Sequence, residues 1–233
     1  MNYNNLFKIN QGPAYGNNNL KLIICFTGRA GCSVTFKNFL RISSTENNNF
    51  MKELEKYSWV HEYRLDYLHN RINTKTFEQC IVDNYTIVKT VLNPYQRAVS
   101  IFKMNPVPNH LTFKEFLIKL LQNYNFGISV KNHAICQYDN YVDRFVTKVI
   151  HLDRNEKIKI KDKIFDPNIE KSHHHTVRKE INSNQCLGLI IKKDIKEYPK
   201  KYKQFYNDEI KQLVDKIYEI DIKMYNYSFE EDF

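Results

Sequence analysis

Apolar residues follow two rhythms along this chain, and the switch between them marks its elements. Residues 21–27, "KLIICFT", are a continuous apolar run of the kind buried on both faces of a parallel sheet. The spacing then becomes helical, with Phe36, Phe39 and Leu40 on one side, so residues 25–40 read as a strand, a tight turn and a helix. "YTIVKTVL", residues 85–92, predicts a second strand that ends at Asn93-Pro94. Pro94 fits the first turn of a helix that "YQRAVSIF" continues. Thr112 and Glu115 have the Thr-x-x-Glu spacing of a capping box ahead of Phe116, Leu117, Leu120 and Leu121, which predicts a third helix. "FVTKVIHL", residues 145–152, predicts another strand. A closing helix starts near Asn207-Asp208 and carries Ile210, Leu213, Val214, Ile217 and Met224 at helical spacing. Strands alternating with helices predict an α/β fold whose central, mainly parallel sheet is flanked by helices.

The rest of the chain is polar. Residues 1–20 are Asn-rich and lack the apolar core of a signal peptide, so they are expected to be a flexible N-terminus. Residues 21–233 then form one domain, a size that a single core supports. Residues 154–184, with "KIKIKDK" and "EKSHHHTVRKE", predict a long surface excursion over the sheet edge. No run approaches membrane-spanning length, and the expectation is a soluble cytoplasmic protein without a membrane anchor. Five scattered cysteines with no CxxC pair argue against a disulfide framework and a zinc knuckle. The net charge of +9 points to an anionic partner. Nucleic acid is not expected, because the aromatic residues fall within apolar helix and strand patterns.

An anion has one obvious seat. In "CFTGRAGCSVTFKNFL", residues 25–40, the turn with Gly28 and Gly31 precedes a helix start, where backbone N–H groups and the helix dipole favour negative charge. Ser33 and Thr35 would add hydroxyl donors. "GRAGCSVT" lacks the Gly-Lys-Ser/Thr ending of a Walker loop, so a kinase reading loses its lysine.

A second segment narrows the choice. "VLNPYQRAVSIFK", residues 91–103, resembles the "VRNPYxRLVSxY" segment of PAPS-dependent sulfotransferases, and "GRAGCS" is similar to their "PKxGCT" 5′-phosphosulfate loop. "NHAICQYDNYVDRFVTKVIHLD" and "FYNDEIKQLVDKIYEIDIKMYNYSF" resemble later parts of the carbohydrate-type, Golgi and bacterial branch. The resemblance covers most of residues 21–229 and implies that branch's P-loop NTPase-like fold. It further implies that Gly28, Arg29, Ala30, Gly31, Cys32, Ser33 and Thr35 hold the 5′-phosphate and sulfonate of 3′-phosphoadenosine 5′-phosphosulfate, PAPS. Arg29 stands where the family has a lysine that donates to the oxygen bridging phosphate and sulfur, and it is the first catalytic candidate. Ser100 matches the serine that binds the 3′-phosphate, while Leu92 replaces the arginine that binds it with Ser100. Losing one charge-assisted partner costs roughly 1.5–3 kcal/mol, about one to two decades in affinity. Lys89, Arg97 and the basic stretch with Lys171, Arg178 and Lys179 are the residues that would compensate. For Arg97, the expectation placed first is a structural ion pair, and nucleotide contact comes second.

Sulfonyl transfer needs a base for the acceptor's proton. His61, Glu62, His110 and His133 are the candidates, with His133 of "NHAICQ" first and the His61-Glu62 pair second. His173, His174 and His175 read as a solvated basic loop, since consecutive residues point in different directions and the transfer requires no metal. The resemblance thus implies sulfonyl transfer from PAPS to a hydroxyl or amine of a carbohydrate-like acceptor, leaving 3′,5′-adenosine bisphosphate. The alternative is a degenerate member that binds nucleotide or glycan without catalysis, which Leu92 favours.

Overall fold

The computed structural model describes residues 14–44, 76–169, 184–196, 198 and 201–230. The chain divides into two compact units, one from Met1–Val91 and Asp139–Ser172, the other from Leu92–Tyr138 and His173–Asp232. Among the described residues, no helix is long and apolar enough to cross a membrane.

The first unit is built on a four-stranded mixed sheet in the order β1 (Ala14–Asn17), β2 (Leu22–Phe26), β3 (Thr86–Val91) and β4 (Lys148–His151). β2 pairs parallel with β3, and β3 parallel with β4, while β1 runs antiparallel to β2. The unbroken apolar run of β2 has its reason here, because both of its faces are covered. Leu22, Ile24 and Phe26 pack with Phe36, Phe39 and Leu40 of α1 (Cys32–Ser43), and Ile23 and Cys25 pack with Phe77 and Cys80 of α2 (Phe77–Val82). Each such apolar side chain contributes about 1.5–3 kcal/mol by leaving water.

Two features of this unit depart from the sequence expectations. β1 lies within the stretch read as flexible. Its anchor is Tyr15, 1% exposed, whose ring lies 4.8 Å from that of Phe26 and 4.9 Å from that of Phe36. A single buried aromatic and main-chain pairing suffice for a short edge strand. In the polar stretch after β4, β5 (Ile158–Ile160) and β6 (Lys163–Phe165) form an antiparallel hairpin. It is fastened to α1 by Asn38, whose Nδ2 donates to Asp166 O at 2.8 Å and whose Oδ1 accepts from Asp166 N at 2.7 Å.

The second unit is helical, with α3 (Pro94–Phe102), α4 (Phe113–Leu121), α5 (Ile128–Ala134), α6 (Asp208–Ile217) and α7 (Glu219–Met224). Its core joins Phe102, Phe113, Phe116, Phe205, Ile210 and Val214. The start signals act as read from the sequence. Asn93 Oδ1 accepts from Tyr95 N at 3.0 Å ahead of Pro94, and Asn207 Oδ1 accepts from Ile210 N at 2.9 Å. The capping box of α4 is complete, with Glu115 N donating to Thr112 Oγ1 at 3.1 Å and Thr112 N to Glu115 Oε2 at 2.8 Å. The closing helix is two helices rather than one, because Tyr218 leaves helical dihedrals between α6 and α7.

Candidate active site

The turn after β2 is tight. Ala30 N donates to Thr27 O at 3.1 Å, and both Arg29 (φ 60°) and Gly31 (φ 69°, ψ 36°) take left-handed backbone conformations. Glycine occupies this region without strain, whereas an arginine is held there by its surroundings, a pattern common at ligand-binding turns. Gly31 is the N-cap of α1, no side chain caps the helix, and its first turn holds no acidic residue. The positive end of the helix is therefore not offset by a carboxylate of its own first turn, which suits an anion.

Packing adds to the backbone preference for glycine at position 31. A Cβ there would meet Leu152 Cδ1, just past the end of β4. Gly31→Ala is expected to cost about 1–2 kcal/mol for the left-handed backbone, besides displacing Leu152. Urea unfolding checks this, and a wild-type midpoint in the variant would contradict it.

Gly28, Arg29, Ala30, Gly31, Cys32 and Ser33 come together on this turn and the start of α1. Arg29 is exposed, yet neighbouring atoms strip enough water from its guanidinium to lower its pKa from the ordinary arginine value. It remains charged at neutral pH. Thr35 is a correction. Its hydroxyl is fully buried and lies 2.9 Å from Thr90 Oγ1, because the fourth residue of α1 faces the sheet instead of the turn.

Lys89 is a second correction. It sits on β3 between Val88 and Thr90, whose side chains face α1, so strand alternation sends it to the opposite face. There its ammonium is bonded to the Asp143 carboxylate, with the two side chains 4% and 8% exposed. Asp143 Oδ2 also accepts from Asp139 N at 2.8 Å. Beside this pair, burial pushes the Cys25 thiol up to about 12, which keeps it protonated and non-nucleophilic.

In the second unit, Arg97 takes the structural role expected first and not the nucleotide contact. It is 0% exposed, it donates to the carbonyls of His133 and Ile135 at 2.6 Å each, and its Nη1 lies 3.9 Å from Asp221. Ser100 is half-buried on α3. The main chain of Leu92 is clamped by Gln137, with Leu92 N donating to Oε1 at 2.9 Å and Nε2 donating to Leu92 O at 2.8 Å. His133 Nδ1 contacts Ser129 O at 2.5 Å, and His110 is exposed in a turn. His61, Glu62, Lys171, His173, His174, His175, Arg178 and Lys179 lie outside the described residues. Among the described residues, no group of three His, Cys, Asp or Glu side chains is arranged to hold a metal.

His151 is a residue that sequence reasoning passed over. It ends β4 at the carboxyl edge of the parallel strands, in register with Val91 and next to the Leu152 that packs against Gly31. The available signal was a histidine at the carboxyl end of a strand, where α/β sheets hold their ligands. Burial, helped by the charge of Arg154, pushes its imidazole down to about 4, so it is neutral at pH 7. The unfolded chain takes up this proton near pH 6.5, whereas the folded protein resists until about 4. Stability from this group is thus full above pH 6.5 and declines as pH falls through that window. His151→Gln is expected to flatten the decline in denaturation midpoints, and an unchanged slope would refute the assignment.

A comparison of the chain with family models, with curated proteins and with solved structures finds no match in any of the three.

Proposed function

We propose that this chain is a PAPS-dependent sulfotransferase acting on a hydroxyl or amine of a carbohydrate-like acceptor. The observation that carries the reading is the start of α1, a helix N-terminus with no side-chain cap behind a turn in which Arg29 and Gly31 take left-handed conformations. Its sequence is the one that resembles the family's 5′-phosphosulfate loop. When bound, PAPS supplies an activated sulfonyl group whose S–O bond to the 5′-phosphate breaks as the acceptor's bond to sulfur forms. On this reading the α1 amides and Ser33 would bind the anionic end and Arg29 would donate to the departing phosphate oxygen, and the resemblance assigns the acceptor's proton to His133. An anionic nucleotide and a glycan are then the partners, and the chemistry calls on no metal.

The residues fit the two ends of the nucleotide unequally. The turn suits the 5′ end, but Leu92 brings no charge to the 3′-phosphate, and Lys89 and Arg97 are committed to Asp143 and to main-chain carbonyls. This favours a second reading, a protein that binds nucleotide or glycan without transferring anything.

Incubation with PAPS labelled in its sulfonyl group, against a panel of glycans, separates the two. Label on a glycan with stoichiometric release of 3′,5′-adenosine bisphosphate supports the enzyme. Bisphosphate binding without transfer supports the second reading, and the absence of both refutes each.

A further inference from the structure

α5 is a short helix with weak apolar anchorage, since Val130 is its one buried residue. Such a helix leaves carbonyls at its C-terminal end without intrahelical partners, and it needs another source of order. Arg97 provides it. From within α3, its buried guanidinium donates to His133 O and Ile135 O at 2.6 Å each, placing a cation at the negative end of α5. Asp221 of α7 steadies the arrangement, lying 3.9 Å from Arg97 Nη1 and accepting from Gln137 N at 2.8 Å and Tyr138 N at 2.7 Å. The chain is thereby held at His133 and Ile135 and again at Gln137 and Tyr138.

The ring of His133 is fixed as well. Its Nδ1 lies 2.5 Å from Ser129 O one turn back, and a carbonyl only accepts, so in the neutral imidazole the proton sits on Nδ1. Nε2 is then the nitrogen that can take up a proton.

We propose, resting on the sulfotransferase reading, that Arg97 is a positioning residue for the base: it holds the main chain of His133 while Ser129 O sets the tautomer that presents Nε2 to the acceptor. The PYxR arginine thus serves proton transfer rather than nucleotide binding.

The test combines imidazole ¹⁵N spectra, amide exchange and calorimetry with 3′,5′-adenosine bisphosphate, on wild type, Arg97→Lys and Asp221→Asn. Wild-type His133 is expected to show the Nδ1–H tautomer. In Arg97→Lys the tautomers mix, amides of residues 128–135 exchange about tenfold faster, and bisphosphate affinity stays within about threefold, while His110 and His151 signals persist. Asp221→Asn carries the same readouts if Arg97→Lys does not fold. A wild-type Nε2–H tautomer, or unchanged His133 signals in the variants, overturns the proposal. So does an Arg97→Lys protein that loses bisphosphate affinity tenfold or more with His133 undisturbed, which makes Arg97 a nucleotide contact. If wild type binds no bisphosphate, the sulfotransferase reading fails, and the tautomer and exchange results still decide what Arg97 does to His133.

Discussion

Lys89→Ala lowers the unfolding free energy by about 3–5 kcal/mol, because it removes the cation from a carboxylate that stays buried. Asp143 is 8% exposed, and its Oδ2 faces both the Lys89 ammonium and the Asp139 amide. One amide donor does not replace a full charge in that setting. The double variant Lys89→Met/Asp143→Leu recovers most of the loss, since exchanging a buried ion pair for apolar side chains of similar size is often neutral. Urea unfolding of the three proteins checks both statements. A single variant within 1 kcal/mol of wild type, on the order of the difference an exposed pair makes, would show that the pair is solvated and that Lys89 remains available to a ligand.

On the proposed sulfotransferase reading, Arg29→Ala is expected to slow sulfonyl transfer by about 10²–10³, the usual effect of removing one donor aimed at charge that develops in the transition state. On the same reading Arg29→Lys restores most of the rate, because lysine is what the resembling family carries there. Stability provides the control. Arg29 already sits at φ 60°, so alanine inherits the same backbone strain instead of adding to it. The denaturation midpoint should barely move while single-turnover transfer from PAPS collapses. An Arg29→Ala protein that transfers within threefold of wild type would remove Arg29 from the chemistry, since threefold is about 0.7 kcal/mol.

The elements legible in the residues are those whose own patterning suffices. β2 is apolar throughout and β3 is half apolar, with Ile87, Val88 and Val91, α4 carries its capping box, and α3 and α6 announce their starts with Asn93-Pro94 and Asn207. β1 was hidden by its asparagine-rich surroundings, since only Tyr15 buries an aromatic ring there. The β5–β6 hairpin was masked by its lysines, although Ile158 and Ile160 show the alternation of a strand. α2 and α5, at 6 and 7 residues, are too short to display a helical period.

The site divides in the same way. The turn could be read because its glycines and the helix that follows are neighbours in sequence. The partners of Thr35, Lys89 and Arg97 could not be named, because Thr90, Asp143 and Asp221 are 55, 54 and 124 residues away. Charge and hydroxyl were visible in the sequence, but their direction depended on those distant partners.

The central claim is that the turn between β2 and α1 holds the phosphosulfate end of a 3′-phosphorylated nucleotide. Calorimetric titration with 3′,5′-adenosine bisphosphate, with ATP and 5′-AMP as comparisons, in wild type and in Leu92→Arg, tests it most directly. The account predicts saturable, bisphosphate-selective binding by wild type that tightens by about one to two decades in Leu92→Arg. Heat that does not saturate with any of the three nucleotides, in either protein, would contradict it.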